Sequence, residues 1–355
     1  MTSAATTGGF ITVFGRGLVE ELPNFVQRPY LVVTMEDLWP RFAPLLEEHL
    51  AGVHLVKTLD LTELERIVQE LPECRSVIGL GGGQAIDVAK FFAWTRRLPL
   101  FQVPTSMTVN APFGHRSGLR TEGKVRYMGW AVPEAVYVDF GVVQSAPAAI
   151  NRAGIGDILC YHTAHFDWKL VSDLGKAESK WPYDEELVAQ ARQRLDSVLG
   201  ALDEIHDVTE QGIRTLMLGH RWGGTTYHDS GWNPRHIEGM EHFLYYNLER
   251  LTGGKHYIHG QPVGLGIVFG SALQGNAPDA MLAALVRAGV DIRPEAMGVT
   301  WDDAAEAMRT LPTYVRDARL WYTAVDVKPI TEELIADVRR MVEAAYGPWT
   351  GGATA

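Results

Sequence analysis

Short apolar runs alternate with amphipathic stretches in the first 140 residues, and this alternation most constrains the fold. Stretches such as LTELERIVQELP carry apolar residues at helical spacing between the runs. Alternation of this kind predicts a parallel sheet covered by helices. The predicted strands are residues 11–15, 30–34, 53–59, 76–81 and 99–104, with two more short strands within 124–139, interrupted by Pro133.

From about residue 144 the pattern becomes helical and convincing strands disappear. A chain of 355 residues also exceeds the ~250–300 residues at which single cores stop growing. We therefore expect two domains: residues 1–150 as an α/β nucleotide-binding domain with a parallel sheet, and residues 151–355 as an all-α domain. The predicted helices of the second domain include 156–172, 184–205, 238–251 and 331–346.

Composition narrows the class of protein. The net charge of −11 argues against a general nucleic-acid binder. No apolar run approaches the ~20 residues that cross a bilayer, and MTSAATTGGF lacks the features of a signal peptide. Cys74 and Cys160 lie in apolar surroundings, which predicts buried free thiols. We expect a cytoplasmic protein that binds neither nucleic acid nor membranes.

The segment GLGGGQAIDVAK (79–90) follows the fourth predicted strand and opens a helix near Gln84. Glycine lets a backbone approach a ligand closely, and unpaired N–H groups at a helix start attract anions. The segment does not match GxGxxG, and a tight turn without a ligand is the alternative. Three adjacent glycines exceed what a turn requires, so we assign Gly81, Gly82, Gly83 and, on the helix, Asp87 to cofactor binding.

Glu36 and Asp37 follow the second predicted strand. An acidic group there can accept hydrogen bonds from ribose hydroxyls and would repel a 2′-phosphate. Acidic residues are also common at helix starts. The pattern slightly favours NAD over NADP, with Glu36 as the contact.

Three residues form a candidate metal site: Asp157 in GIGD, His242 in GMEHFLYYN and His259 in HGQPVGLG. One carboxylate and two imidazoles suit a zinc- or ferrous-type cation and leave a coordination position for a substrate oxygen. Each residue has another explanation. Asp157 can cap a helix, His242 can be a core histidine, and the chain's twelve histidines make coincidence possible.

The chain resembles the iron-containing alcohol dehydrogenase and dehydroquinate synthase superfamily, especially its glycerol dehydrogenase and glycerol-1-phosphate dehydrogenase branch. The resemblance implies a metal- and NAD(P)-dependent enzyme with its active site in a cleft between two domains. It implies that 81–83 bind the cofactor pyrophosphate, that Thr105 and Ser106 line the nicotinamide side, and that Asp157, His242 and His259 hold the metal. It rests on the order and spacing of FGRG (14–17), GLGGGQAIDVAK, VPTS (103–106), AGIGD (153–157), MEH (240–242) and HGQPVGLG (259–266).

Three departures from the family pattern matter. Tyr161 stands where iron-type relatives carry a further histidine, which favours zinc over iron or nickel and leaves His162 and His165 as outside candidates. Asn110 stands where polyol-branch relatives carry an aspartate near nicotinamide and substrate. We therefore assign Asn110 a catalytic role, in which it can still form hydrogen bonds but lacks the negative charge of the aspartate. The approach SGWNPRHIEGMEH is longer than in relatives, which predicts a reshaped substrate pocket.

Substrate and proton contacts are predicted from neighbouring residues. His115 and Arg116 follow Gly114 closely and could bind a phosphate or carboxylate on the substrate. His256, close in sequence to His259, could relay the proton that leaves the substrate hydroxyl; His162, His165 and His236 compete for this role.

The leading hypothesis is a dehydrogenase or carbonyl reductase acting on a small polyol or phosphopolyol, in a homo-oligomer. One alternative is a sugar-phosphate cyclase resembling dehydroquinate synthase, in which NAD is reduced and reoxidised within one turnover. VNAPFGHR can be aligned with the cyclase loop, although the second glycine of that loop is missing. The other alternative is a catalytically silent nucleotide-binding relative, motivated by Tyr161 and Asn110.

Overall fold

The computed structural model describes residues 3–7, 9–122 and 124–350. The chain divides into two compact units. The first comprises Met1–Ala146 and His220–Asp229, and the second comprises Pro147–Gly219 and Ser230–Ala355. The sequence-based assignment differs from these units in two places: it placed residues 147–150 in the first domain and His220–Asp229 in the second.

The strands of the first unit are β1 (Ser3–Thr7), β2 (Phe10–Gly15), β3 (Tyr30–Thr34), β4 (Leu50–Leu55), β5 (Ser76–Gly81), β6 (Leu100–Pro104), β7 (Ser117–Thr121), β8 (Lys124–Met128) and β9 (Ala135–Asp139). Seven of them form one sheet with the order β1-β2-β9-β6-β5-β3-β4. Neighbouring strands in this order pair in parallel, except that β1 pairs antiparallel with β2. A separate antiparallel hairpin joins β7 and β8.

Different helices cover the two faces of the sheet, because successive strand residues point to opposite sides. Leu31 and Val77 pack with the helices at 61–70 and 83–96 on one face, whereas Val32 and Ile78 pack with the helices at 18–25 and 39–46 on the other. Strands buried on both faces read as continuous apolar runs, which made YLVVT and SVIGLG recognisable in the sequence. The helices of residues 1–146 are α1 (Leu18–Phe25), α2 (Trp39–Leu46), α3 (Leu61–Glu70), α4 (Gly83–Arg96) and α5 (Phe140–Ser145).

Residues 140–350 form helices and short 3-10 turns and contain no strand. The predicted α/β and all-α fold class is therefore confirmed. The helices are α6 (Ala148–Ala153), α7 (Gly156–Leu159), α8 (Tyr161–Asp173), α9 (Glu185–Leu199), α10 (Leu202–His206), α11 (Glu210–Asp229), α12 (Met240–Leu251), α13 (Gly260–Gln274), α14 (Pro278–Arg287), α15 (Trp301–Ala318) and α16 (Glu332–Tyr346).

Some element bounds differ from the prediction. The strand predicted at 53–59 spans Leu50–Leu55 instead. It ends at Leu55 because its partner β3 ends at Thr34, whose carbonyl accepts the last hydrogen bond, from the Val56 amide. The helix predicted at 156–172 divides at Cys160 into α7 and α8.

None of the described helices is long and apolar enough to cross a membrane. The expected location and oligomeric state stay predictions.

Candidate functional site

Three elements of the second unit bring the candidate metal ligands together. Asp157 lies on α7, His242 on α12, and His259 immediately precedes α13. The Asp157 Oδ1 atom is 2.9 Å from His259 Nε2 and 3.7 Å from His242 Nε2. One potential ligand atom from each residue lies within 4.8 Å of the other two. The structure thus gathers three residues that are far apart in sequence.

The geometry at Asp157 fits a cation better than it fits the alternative helix cap. Asp157 Oδ1 is buried and forms no hydrogen bond to the described residues, although an imidazole nitrogen is 2.9 Å away. The N-terminus of α7 receives no side-chain cap. A buried carboxylate oxygen without a hydrogen bond is costly unless another group satisfies it. One carboxylate and two imidazoles form a donor set that zinc-type cations accept.

Glu241 orients one of these ligands, and sequence analysis missed it. Its Oε1 atom lies 2.9 Å from His242 Nδ1 and accepts a hydrogen bond from the Gly239 amide. The Thr163 hydroxyl donates to Oε2 at 2.7 Å. A carboxylate at Nδ1 fixes the imidazole tautomer and leaves Nε2, the atom near Asp157, free to coordinate.

The electrostatics of this pocket favour positive charge. Burial raises the pKa of the Asp157 carboxyl, but the imidazoles of His259 and His242 outweigh burial and lower it overall. Burial lowers the pKa of His242, yet Asp157 and Glu241 hold it well above its usual value. Glu238, whose own pKa burial raises, adds a third carboxyl group. A divalent cation would compensate this concentration of buried carboxylates.

Close backbone packing by α13 brings the ligand segments together. A Cβ at Gly260 would overlap the Ala153 carbonyl oxygen, next to the segment that carries Asp157. A Cβ at Gly266 would overlap the Glu241 carbonyl oxygen, one residue before His242. The glycines of HGQPVGLG therefore allow the backbones to approach at both places.

Other histidines of the second unit have structural partners. His162 contacts the Asn276 carbonyl at 2.7 Å, and His165 contacts the His236 carbonyl at 3.1 Å. Burial lowers the pKa of His165 to about 4 and that of His236 to about 3, so both are neutral at pH 7. His256 is exposed in the loop between α12 and α13.

Both cysteines are free and buried, as predicted. The Cys160 thiol contacts the carbonyl oxygens of Asp157 and Ile237 at 3.2 and 3.0 Å. Cys160, Glu241 and His242 form a second group with metal-ligand spacing. Burial raises the pKa of Cys160 well above its usual value, which disfavours the thiolate that a metal needs.

The glycine turn lies where β5 ends and α4 begins, in the first unit. Gly81 has φ +157°, and an added Cβ there would lie 2.8 Å from the Ala85 Cβ. At Gly83 an added Cβ would lie 3.1 Å from Val109. Gly82 has φ −78°, and its added Cβ would meet nothing closer than Ser106 Oγ at 4.0 Å. Neither conformation nor protein packing requires glycine at Gly82, which leaves room for a ligand at the start of α4.

Other predicted cofactor residues surround this turn or follow β3. Thr105 and Ser106 are buried directly after β6, and the Thr105 amide donates to the Gly81 carbonyl at 3.1 Å. Glu36 is exposed in the turn after β3. Asp87 forms an ion pair with the buried Lys90 at 2.7 Å, and its assignment to cofactor binding stays a prediction.

The predicted substrate residues lie in the loop between β6 and β7. Asn110 is half-buried, and its carbonyl accepts hydrogen bonds from the amides of Phe113 and Gly114. The His115 ring is buried and stacks on His228 at 3.9 Å between ring centroids. The His115 amide donates to His228 Nε2 at 2.8 Å.

His115 and His228 are neutral at pH 7, because their surroundings lower both pKa values. Arg116, next to His115 in the chain, is half-buried. Burial, helped by the charge of Lys90, lowers the pKa of His115 to about 4. Burial, helped by the charges of Lys90 and Arg116, lowers the pKa of His228 to about 3. Sequence analysis missed His228, which reaches this loop from the C-terminal half of α11.

Comparison with known proteins agrees with this architecture. The family model for iron-containing alcohol dehydrogenase matches residues 18–147. A glycerol-1-phosphate dehydrogenase (NAD(P)+) from Thermofilum pendens is 30% identical over 339 residues, covering 92% of this chain and 95% of the relative. The chain belongs to the iron-containing alcohol dehydrogenase family. Its predicted class, an NAD(P)-dependent oxidoreductase acting on CH–OH groups, is confirmed.

Further relatives of this family member extend the comparison. A glycerol-1-phosphate dehydrogenase (NAD(P)+) from Aeropyrum pernix is 28% identical over 287 residues, covering 79% of this chain and 78% of the relative. The crystal structure of a probable glycerol dehydrogenase from Sinorhizobium meliloti matches with a TM-score of 0.71 at 20% identity, covering 94% of this chain and 95% of that one. The structural match shows the fold alone.

Proposed function

We propose that this family member transfers hydride between NAD(P) and a small phosphorylated polyol of the glycerol 1-phosphate type. The convergence of Asp157, His242 and His259 on one pocket carries the proposal, because it supplies the donor set that an alcohol-oxidising metal site needs. The 30% identity to a glycerol-1-phosphate dehydrogenase over 92% of the chain supports the substrate class.

Asp157, His242 and His259 would hold a divalent cation, with zinc favoured over iron or nickel. When bound, the cation would polarise the substrate oxygen while the nicotinamide takes up the hydride. Tyr161 supports the three-ligand set, because this buried side chain stands where a fourth, histidine ligand is expected in iron-type relatives. Glu241 would hold His242 in the coordinating tautomer.

Gly81, Gly82 and Gly83 would receive the cofactor pyrophosphate at the N-terminus of α4, where N–H groups and the helix dipole favour an anion. Thr105 and Ser106 would line the nicotinamide side. Glu36 would accept hydrogen bonds from the adenosine ribose and disfavour the 2′-phosphate of NADP.

Asn110, His115 and Arg116 would contact the substrate. Because His115 is neutral at pH 7, it would offer a hydrogen bond rather than a charge, and Arg116 would supply the positive charge that a phosphate needs. His256 would exchange the substrate proton with solvent, a role that its exposed position permits.

The proposal is tested by following NADH and NADPH absorbance with glycerol 1-phosphate, its ketone product dihydroxyacetone phosphate, and unphosphorylated polyols, with zinc supplied. We expect turnover of the phosphorylated pair and its loss after chelation. The proposal fails if absorbance stays unchanged with every substrate. Phosphate release from a sugar phosphate without net NADH change would instead indicate the cyclase alternative.

A further inference from the structure

Lys90 is a buried cation on α4 that the proposed chemistry does not use. Its side chain is 2% exposed. The Nζ atom lies 2.7 Å from Asp87 Oδ1 and donates to three carbonyl oxygens, those of Ala111 at 3.0 Å, Gly114 at 3.2 Å and Arg116 at 2.6 Å. These carbonyls belong to one stretch of six residues, so a single ammonium group binds the loop at three points.

The contacts leave Lys90 no capacity for a ligand. An ammonium group has three N–H donors, and four acceptor oxygens lie within hydrogen-bond distance of this one. Removing the ammonium would leave three partly buried carbonyls and the Asp87 carboxylate, whose side chain is 16% exposed, without their partner, which is costly. The arrangement therefore stabilises the loop and offers nothing to substrate.

Asp87 adds a fourth contact between α4 and the backbone of this loop. Its carboxylate accepts a hydrogen bond from the Gly118 amide in addition to pairing with Lys90. Asp87 and Lys90 are three residues apart and thus share one face of α4. Together they bind the segment from Ala111 to Gly118 at four backbone positions.

The segment so held carries the candidate substrate contacts, His115 and Arg116. The same helix begins at Gly83, the proposed pyrophosphate site, and seven residues of α-helix separate Gly83 from Lys90 by about 10 Å. One rigid element therefore connects the proposed cofactor phosphates to the backbone of the proposed substrate loop.

We propose that Lys90 is a positioning residue that fixes the segment Ala111–Gly118 to α4 and thereby sets the place of His115 and Arg116. The effect on substrate rests on the proposed function, whereas the effect on the segment does not. Loss of the ammonium should loosen the segment and leave the glycine turn intact. A displacement of binding groups by about 1 Å can cost ~100-fold in rate.

The test compares the full-length protein with Lys90→Met and with the double variant Lys90→Met/Asp87→Asn, which avoids an unpaired buried carboxylate if the single variant does not fold. Hydrogen exchange is followed at the amides of Phe113, Gly114 and His115, which are hydrogen-bonded in this loop. We expect exchange there to accelerate by about ten-fold or more, as for a local opening that is easier by ~1.4 kcal/mol. The KM for glycerol 1-phosphate should rise and kcat/KM should fall by ~10–100-fold in both variants, while the Kd of NADH stays unchanged in Lys90→Met.

Lys169→Met is the matched control, because Lys169 is half-exposed and ion-paired on a helix of the second unit. This control should show the wild-type exchange rates and kinetic constants. Unchanged exchange of the segment in the variants that fold would overturn the proposal. If the wild-type enzyme does not turn over glycerol 1-phosphate, the proposed function fails, and the exchange rates still decide the role of Lys90.

Discussion

Glu241 Oε1 lies 2.9 Å from His242 Nδ1, and the side chains of both residues are buried. Glu241 is itself held by the Gly239 amide and the Thr163 hydroxyl. The carboxylate therefore has a fixed position and dictates which imidazole nitrogen points toward Asp157. Sites of this kind depend on the partner of the ligand nearly as much as on the ligand itself.

Glu241→Gln should weaken metal binding by ~10–100-fold, because an amide is a poorer acceptor for the imidazole N–H and can present its NH2 group instead. Competition with a zinc-chelating dye measures this affinity. Glu343→Gln, at a half-exposed ion-paired position, is the control and should bind zinc like the wild type. Equal affinities in the two variants would contradict the role of Glu241.

Gly266→Ala should reduce metal content and lower the free energy of unfolding by about 1–3 kcal/mol, because the added methyl group overlaps the Glu241 carbonyl and overpacks the contact. Gly275→Ala is the control. That residue has φ +71° and open space around it, so alanine there introduces backbone strain without displacing the site. Metal content after purification, measured by mass spectrometry, should fall in the first variant only; a parallel fall in both would show that general destabilisation is responsible.

Acid should destabilise the protein partly through His165 and His236. The pKa values of these residues, about 4 and about 3, lie below the ordinary value of about 6.5, so the unfolded chain binds more protons at intermediate pH. Their contribution to stability is present above pH 6.5 and is lost progressively as the pH falls toward the folded-state pKa values. His165→Gln should reduce the acid-induced loss of unfolding free energy by up to about 3 kcal/mol. Urea denaturation at several pH values measures it, and identical pH profiles for variant and wild type would exclude the contribution.

Glu36→Gln should raise the use of NADPH relative to NADH several-fold, since the substitution removes repulsion of the 2′-phosphate at the end of β3. The ratio of kcat/KM for the two cofactors measures the change. Glu48→Gln, at an 89% exposed side chain on a neighbouring segment, should leave the ratio unchanged. If Glu36→Gln also leaves it unchanged, another group sets the cofactor preference.

Much of the first unit could be predicted because its central strands are covered on both faces. Strands β3 and β5 are continuous apolar runs with the bounds that the sequence indicated. Strand β1 was not predicted, because SAATT lacks an apolar run and its pairing depends on β2. The end of β4 could not be read from VHLVKTL, since the length of its partner β3 determines where pairing stops.

The candidate metal ligands were recognisable because their motifs occur in the order seen in the family. The residues that hold the ligands and the substrate loop in place could not be recognised in this way. Glu241 reads as part of the polar surface of α12, and only the fold turns it inward. The burial of Lys90 could have been recognised from one feature. Lys90 lies between the apolar residues Ala89 and Phe91, in a part of α4 that is buried. His228 comes from a distant helix, and no local pattern connects it to His115.

Metal content and hydride transfer, measured together in the wild type and in His259→Ala, test the central claim most directly. We expect about one divalent metal per wild-type chain, and loss of both the metal and turnover in the variant, with NADH affinity and the native secondary structure retained. A variant that keeps wild-type turnover of glycerol 1-phosphate without bound metal would contradict the claim that Asp157, His242 and His259 form the catalytic metal site.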